Sequence, residues 1–222
     1  MDKIKLVLIA SGGGTDAYAI MKAYSDGFIP NVSLEALIST KEGAGCLEKA
    51  ESLGIPTVVI DRKEVGSKRN FNKQLNLKLN SLGCELVFLV GCVVNIEPIT
   101  AISMYNIHPA DIQKFGGKTM YGLKVHEKVL AEICDLIERG KKSEDDEFFT
   151  YPTVHEAISD YDSGAPLISI SVRIPYAIIF RLINNDIDLI EAAKLLQRYV
   201  LPFEWAILPT AVNIAAMKIL TV

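Results

Sequence analysis

Apolar runs of strand length alternate with stretches of helical period along the first half of the chain. Residues 3–10 (KIKLVLIA) are almost continuously apolar, as expected for a strand that is buried on both faces of a parallel sheet. Further strands are predicted at 32–39, 57–60 and 85–91, with helices at 17–27, 44–53 and 70–82 between them. This alternation predicts an α/β fold with an open, doubly wound, mostly parallel sheet and right-handed crossovers.

The pattern changes after Pro98. A short strand at 104–107 runs into His108 and Pro109, and an irregular glycine-containing loop and a long helix at 123–139 follow. Two strand-like runs, 153–158 and 166–174, flank the turn-rich segment SDYDSGA, so the parallel sheet is expected to be extended by an antiparallel hairpin. Two helices, near 187–200 and 203–220, are predicted to close the chain. No repeat or linker interrupts the pattern, so residues 1–222 are expected to form a single domain.

Composition excludes several classes of protein. The 222 residues are 50% hydrophobic and 23% charged, which is typical of a globular chain that buries its own core. The formal net charge of -4 gives no overall field for a polyanion, so no nucleic-acid partner is expected. The N-terminal apolar run is far shorter than the ~20 residues that span a bilayer, which favours a cytoplasmic protein with no membrane partner. Monomer and homodimer both remain open.

The four cysteines lie far apart and form no Cys-x-x-Cys pair. This spacing argues against a zinc site and against a disulfide framework, and buried packing is the expected role of each cysteine. We therefore expect no metal.

Ligands of open α/β sheets bind beyond the carboxyl ends of the strands, so segments that directly follow strands are the first candidates for a site. The first segment is SGGGTD at 11–16, where the start of a helix can receive an anion such as phosphate. It matches neither the dinucleotide-binding nor the P-loop pattern. A tight turn with Thr15 or Asp16 as the helix N-cap explains the same residues equally well.

Two further segments carry polar groups that could do chemistry. Asn106 and His108 share one face of their strand, and an amide beside an imidazole can stabilise an oxyanion, although a lone histidine is equally often structural. In 159–164, acidic residues either cap the turn or orient a histidine. His126 and His155 are expected to be packing or surface residues.

Taken in order, these segments resemble the folate-dependent formyltransferases, and within them the glycinamide ribonucleotide transformylases, over essentially the whole chain. SGGGTD is similar to the phosphate loop Ser-Gly-x-Gly-Ser-Asn of that family, and LVGCVVNIEP at 89–98 to its folate-pocket loop. NIHP at 106–109 matches its catalytic signature, and TVHEAISDYDSGAPLI at 153–168 its aspartate-bearing hairpin. EWAILP at 204–209 is similar to the Glu-His-x-x-x-Pro of its last helix.

The resemblance implies a Rossmann-like formyltransferase that moves a formyl group from the co-substrate 10-formyltetrahydrofolate to the amine of glycinamide ribonucleotide in de novo purine biosynthesis. Both ligands are small molecules, and the chemistry needs no metal. Residues 1–100 would bind phosphate and substrate, and residues 101–222 would carry catalysis and folate binding.

The resemblance also implies roles for individual residues. Asn106 and His108 would stabilise the oxyanion, and Asp162 would hold His108 protonated and help to move the proton off the amine. The substrate would be bound by Gly12, Gly13, Gly14, Thr15, Asp16 and Glu204. The folate would be bound by Leu89, Val90, Cys92, Val93, Val94, His155, Asp160 and Tyr161.

The chain departs from the family at the substrate periphery. Thr15 and Asp16 stand where the family has Ser-Asn, and a carboxylate near a phosphate dianion is repulsive. Thr40 replaces an asparagine, Asn95 stands near a family arginine, and the stretch at 141–149 is longer than usual. Two alternatives therefore stay open: formyl transfer to another amine, such as an amino sugar nucleotide, and a non-catalytic folate- or nucleotide-binding protein. A tRNA acceptor is disfavoured by the acidic charge.

Overall fold

The centre of the protein is a seven-stranded sheet, seen in a computed structural model that describes residues 3–94 and 96–221. Its strand order is β3-β2-β1-β4-β5-β7-β8, with the first five strands parallel and the last two antiparallel. A separate antiparallel pair is formed by β6 and β9. The strands are β1 (Ile4–Ala10), β2 (Val32–Ser39), β3 (Thr57–Val59), β4 (Leu86–Leu89), β5 (Ser103–His108), β6 (Phe149–Thr150), β7 (Thr153–Glu156), β8 (Pro166–Ser169) and β9 (Val172–Arg173).

Helices cover both faces of the sheet, which confirms the predicted doubly wound α/β fold. Ile20 of the first helix and Leu208 of the last pack with Leu8 of β1 on one face, while Phe71 and Leu75 pack under Val87 on the other. A further core lies beside the sheet, around Val129 and Leu196. The helices are α1 (Thr15–Ser25), α2 (Gly45–Ser52), α3 (Lys68–Ser81), α4 (Ile112–Phe115), α5 (Leu123–Glu138), α6 (Tyr176–Ile183) and α7 (Leu189–Leu220).

The prediction of one strand over 166–174 is wrong. Strand β8 ends at Ser169, and β9 leaves the main sheet to pair with β6. The reason is that the two halves of this segment bury their side chains in different cores. Ile168 packs against the core under β1, whereas Val172 and Ile174 pack into the core that contains α5 and α6. Because β9 leaves the main sheet, it can pair with β6, which begins at the end of the long 141–149 stretch.

The prediction of two C-terminal helices is also wrong, because α7 is one helix of 32 residues that contains Pro202 and Pro209. A proline removes one backbone hydrogen bond and strains the preceding turn, but it does not by itself end a helix whose side chains are buried along its length. Val200, Ile207 and Ala211 are all buried on either side of the prolines, and this packing outweighs the local cost. Helices α4 and α6 were not predicted from the sequence.

Helix α7 is long and apolar enough to cross a bilayer by length and composition alone. This is weak evidence for a membrane span, since the core helix of a globular domain passes the same test, and 44% of the most apolar window is buried. Leu208, Val212 and Ala216 of α7 lie in the same core as residues of α1 and β1.

The carboxyl ends of β1, β4 and β5 meet at one edge of the sheet, and a hydroxyl group ties two of the loops there together. Ser11 Oγ lies 2.7 Å from Thr40 Oγ1 and accepts a hydrogen bond of 3.1 Å from the Val93 N–H. Thr40 is buried, so its hydroxyl serves this contact. The glycine loop after β1 is thus fixed relative to the loop after β4.

Replacing Gly14 by Ala is expected to destabilise the fold. Gly14 has φ 70°, and a Cβ there would lie 2.6 Å from the Cα of Cys46. A left-handed non-glycine residue costs about 1–2 kcal/mol, and the overlap adds to it, so we expect a loss of about 2 kcal/mol or more in the free energy of unfolding by urea. Gly13→Ala is the control, because nothing lies within 4 Å of its Cβ position. Equal stabilities of the two variants would contradict this account.

Candidate active site

A cleft of about 330 Å³ opens at the carboxyl edge of the parallel strands. It is lined by Asp16 at the start of α1, by the loop after β4, by the end of β5, by the turn between β7 and β8, and by Glu204 on α7. Residues from both 1–100 and 101–222 therefore form its walls. All three histidines of the chain, His108, His126 and His155, line it.

Asp162 lies at the centre of a polar cluster on one side of this cleft. Its Oδ2 is 3.5 Å from His108 Nδ1 and accepts a hydrogen bond of 3.1 Å from the Gly117 N–H. Its Oδ1 is 3.4 Å from both His155 Nε2 and Asn106 Nδ2. Asp162 also has φ 51°, a left-handed conformation that is uncommon outside glycine and that clusters at functional sites.

The surroundings of Asp162 keep its carboxyl ionised. Burial alone would raise its pKa, but the hydrogen bond with His155, the charge of His108 and the Gly117 N–H together lower the pKa below its ordinary value. The turn therefore presents a carboxylate to the two imidazoles and the amide at neutral pH.

His108 is buried at the end of β5, and both of its ring nitrogens face acceptors. Nε2 lies 3.0 Å from the carbonyl oxygen of Phe115, and since a carbonyl only accepts, this nitrogen carries a proton. Burial lowers the pKa of His108, and the nearby Asp162 offsets this only in part. The resemblance implied a protonated His108; in the free protein burial works against this form, and the second proton would enter at Nδ1, facing Asp162.

Asn106 and His155 sit opposite each other in the antiparallel pair β5 and β7. His155 Nδ1 donates to the Glu156 carbonyl oxygen at 2.9 Å, and its Nε2 lies 3.3 Å from Asn106 Nδ2 and 3.4 Å from Asp162 Oδ1. His155 is buried, as expected for a packing residue, and the structure also places it in the Asp162 cluster. The predicted hairpin was the signal that could have found it, since pairing the hairpin with β5 brings the two residues together.

His126 is a cleft residue that sequence reasoning missed. It lies in the first turn of α5, is 1% exposed, and its Nδ1 has no hydrogen-bond partner among the described residues. Burial lowers its pKa to about 4, with a smaller effect from the charge of His108. Its helical spacing with Val129, Leu130 and Ile133 marks it as part of the buried face of α5, and this was the signal in the sequence.

Asp16 and Glu204 bring two carboxyl groups into the cleft from α1 and α7, which pack against each other. Glu204 is 5% exposed, and Oδ1 of Asp16 is buried without a hydrogen-bond partner. Burial raises the pKa of Asp16 to about 6, although the indole of Trp205 lowers it somewhat. Burial and then the charge of Asp16 raise the pKa of Glu204 well above its ordinary value. Neither Thr15 nor Asp16 is the N-cap of α1; Gly14 is, without a side-chain cap.

The other predicted ligand residues divide between the cleft and its surroundings. Val90 is fully buried and packs in the core, so its side chain does not face the cleft. Asp160 is exposed outside the lining, and Asn95 lies outside the described residues. The glycine loop, Gly12, Gly13, Gly14 and Thr15, also lies outside the lining, although Asp16 follows it directly. The predicted folate residues whose side chains line the cleft are Leu89, Cys92, Val93, Val94, His155 and Tyr161.

The described part of the chain contains no group of three or more His, Cys, Asp or Glu residues that could hold a metal ion. The cleft offers hydrogen-bond donors, a carboxylate and imidazoles. Such groups can stabilise an oxyanion and move protons.

Residues 4–177 match the formyl transferase family model, and the chain belongs to this family. It is 32% identical over 176 residues to the chloroplastic phosphoribosylglycinamide formyltransferase of Arabidopsis thaliana, a match that covers 77% of this chain and 55% of that relative. The chain thus spans about half the length of the curated plant relatives it matches.

Solved structures share the fold. Glycinamide ribonucleotide transformylase 1 from Symbiobacterium toebii superposes with a TM-score of 0.74 at 24% identity, covering 97% of this chain and 89% of that chain. Phosphoribosylglycinamide formyltransferase from Brucella melitensis gives a TM-score of 0.71 at 25% identity, covering 97% and 96%.

Titration of the imidazole rings, followed by NMR, reports on the cleft alone, because the cleft contains every histidine of the chain. We expect the ring of His126 to stay neutral down to about pH 5, since its pKa is lowered to about 4. The ring of His108 should titrate below the ordinary value of about 6.5. Both midpoints should move toward that value in urea, and a His126 midpoint near 6.5 in the folded protein would contradict its burial.

Asp16→Asn is expected to stabilise the fold at alkaline pH. Because the pKa of Asp16 is raised in the folded protein, its contribution to stability is present at low pH and is lost as pH rises through about 6. The amide removes this cost, so at pH 8 we expect Tm to rise by about 2–4 °C or more, and to change little at pH 4. Asp145→Asn in the exposed 141–149 loop is the matched control. A lower Tm at pH 8 would mean that the Asp16 carboxylate has a stabilising partner.

Proposed function

We propose that the protein transfers a formyl group from 10-formyltetrahydrofolate to the primary amine of glycinamide ribonucleotide, a reaction of de novo purine biosynthesis. The single observation that carries this proposal is the cluster of Asn106, His108 and Asp162 at the strand-end cleft of a formyl transferase family member. The names of the relatives, which are phosphoribosylglycinamide formyltransferases, support this choice of acceptor.

The proposed reaction places a negative charge on the formyl oxygen when the amine attacks the formyl carbon. Asn106 Nδ2 and His108 Nε2 would be the donors to this oxyanion. In the free protein Nε2 donates to the Phe115 carbonyl oxygen, and this N–H would be shared with the formyl oxygen, so that Nδ1 stays beside Asp162. Asn106 would exchange its long hydrogen bonds of 3.3 and 3.4 Å for a shorter one to the formyl oxygen.

The proton balance of the reaction matches the Asp162 cluster. Formyl transfer moves one proton from the attacking nitrogen to the departing nitrogen of tetrahydrofolate. A neutral His108 has a free acceptor nitrogen at Nδ1, and the carboxylate of Asp162 faces it at 3.5 Å. We propose that this pair takes the proton from the amine and returns it to the leaving group, so no further reactant is needed.

The two ligands would lie against different loops at the carboxyl edge of the sheet. The pterin would lie against the loop after β4, where Leu89, Val93 and Val94 provide an apolar wall. The phosphate would lie near the exposed Gly12 and Gly13 at the start of α1, where unpaired backbone N–H groups favour an anion.

One observation favours a second candidate, formyl transfer to a different amine. Asp16 places a carboxyl group in the cleft at a position where the resembling family has an asparagine. An acceptor without a phosphate beside this residue would avoid the repulsion that a ribonucleotide meets there.

We further propose that the partners are small molecules alone and that the protein works in the cytoplasm. The net charge of -4 disfavours nucleic acid, and all four cysteines are free, as in a reducing compartment.

The proposal is tested by mixing the purified chain with 10-formyltetrahydrofolate and glycinamide ribonucleotide and measuring the release of tetrahydrofolate. Release that depends on both compounds is expected. Release only with other primary amines would favour the second candidate, and binding of folate without any release would refute formyl transfer.

His108→Ala and Asp162→Asn are each expected to lower the turnover number at least ~10²-fold, the usual scale for losing oxyanion or acid-base help. Asparagine also tolerates the left-handed conformation of residue 162, so the second variant should keep its fold. Asp145→Asn, the same change on an exposed loop, is the control. Normal turnover in both cleft variants, with unchanged circular dichroism, would show that the cluster is structural.

A further inference from the structure

We infer that Asp111 is a positioning residue for the pair of His108 and Asp162, because its side chain caps the short helix that holds both of them. This inference rests on the proposed formyl transfer, in which that pair moves the proton, and it adds a residue to which the resemblance gave no role. Asp111 follows His108 by three positions and lies outside the lining of the cleft. It acts through the backbone that it orders and not through contact with a ligand.

Helix α4 is a single turn, and Asp111 accepts hydrogen bonds at its start. The Asp111 carbonyl oxygen accepts from the Phe115 N–H at 2.8 Å, and its Oδ1 accepts from the Gln113 N–H at 2.9 Å. One turn of helix is unstable by itself, since its few hydrogen bonds do not offset the ordering of the backbone. The side-chain cap gives a partner to an N–H that the helix leaves free. Asp111, together with the burial of Phe115, therefore keeps this turn in place.

The segment at the end of this turn, residues 115–117, contacts both members of the pair. The Phe115 carbonyl oxygen lies where a helix offers it no partner, and it accepts from His108 Nε2 at 3.0 Å. Two residues later, the Gly117 N–H donates to Asp162 Oδ2 at 3.1 Å. One short stretch of backbone thus holds both the imidazole and the carboxylate. The distance of 3.5 Å between His108 Nδ1 and Asp162 Oδ2 depends on where that stretch lies.

Gly116 shows how closely this segment packs against Asp162. A Cβ at position 116 would lie 2.9 Å from the Cβ of Asp162 and would overlap the carbonyl oxygen of Ile112. Gly116 has φ -81°, which any residue can adopt, so glycine is required here for space and not for backbone conformation. A shift of the turn would therefore push directly on Asp162.

The charge of Asp111 is a second way in which this residue could act on His108. Burial lowers the pKa of His108 and the charge of Asp162 raises it, while the charge of Asp111 raises it with the smallest effect of the groups involved. The cap and the charge can be separated, because asparagine caps a helix as well as aspartate does but carries no charge. The geometry favours the cap.

The kinetic test compares Asp111→Ala, which removes the cap, with Asp111→Asn, which keeps it. We expect Asp111→Ala to lower kcat for formyl transfer roughly fivefold or more, with KM for both substrates within about twofold of the parent, and Asp111→Asn to restore most of kcat. Asp188→Ala is the matched control, because Asp188 caps α7 through the Glu191 N–H at 2.7 Å and lies outside the cleft lining. It should lower Tm as Asp111→Ala does and leave kcat unchanged.

A second measurement needs no substrate. His108 Nε2–H and His155 Nδ1–H both donate to backbone carbonyl oxygens, at 3.0 and 2.9 Å, and NMR measures how fast each exchanges with solvent. In Asp111→Ala, and in the second variant Gly116→Ala, exchange at His108 should become roughly fivefold faster or more while exchange at His155 stays the same. His155 is the internal reference, since a general loss of stability would accelerate both.

A parent-like kcat or an unchanged exchange rate of His108 in Asp111→Ala would overturn the inference. An Asp111→Asn variant as slow as Asp111→Ala would also overturn it, because the charge and not the cap would then be responsible. Loss of the folded state in Asp111→Ala, with Asp188→Ala still folded, would make Asp111 a residue of global stability and would overturn it too. A parent chain that transfers no formyl group would refute the proposed function alone, and the exchange rates would then decide the role of Asp111.

Discussion

The site depends on the pairing of β5 with one parallel and one antiparallel neighbour. Parallel pairing with β4 sets Leu89 beside Asn106, and antiparallel pairing with β7 sets His155 opposite the same residue. Because side chains alternate along a strand, a shift of one residue in either register would turn Asn106 into the core and disperse the cluster. The apolar residues between these positions, such as Ile107 and Val154, are buried and therefore fix the register.

Two sets of carboxyl groups in one cleft are treated in opposite ways by their surroundings. Asp162 receives donors, so its pKa is lowered and it remains charged. Burial disfavours the ionised forms of Asp16 and Glu204, and few hydrogen-bond donors offset this effect, so their pKa values are raised. Environments that push the pKa values of neighbouring groups apart are a general sign that those groups have different tasks. Here one carboxylate organises imidazoles, whereas burial disfavours the charged form of the other two carboxyl groups.

The sheet and the strand-end candidates could be predicted from the sequence because they depend on local patterns. The apolar run at 3–10 indicates a buried strand, and the NIHP segment indicates the point where a strand ends. What could not be predicted depends on tertiary contacts. Helix α7 continues through Pro202 because its side chains are buried in cores on either side, and the Phe115 carbonyl oxygen meets His108 at the end of the short helix α4, which Asp111 caps. The charge of Asp16 acts on the pKa of Glu204 although the two residues lie near opposite ends of the chain, and no local pattern in the sequence indicates this proximity.

The confinement of every histidine to the cleft has a consequence for the molecule as a whole. Histidine is the side chain whose ordinary pKa falls between pH 5 and 8, and the raised carboxyl of Asp16 also titrates near that interval. The cleft thus holds a carboxyl group that changes its charge near pH 6, while burial moves the pKa values of His108 and His126 below the ordinary histidine value.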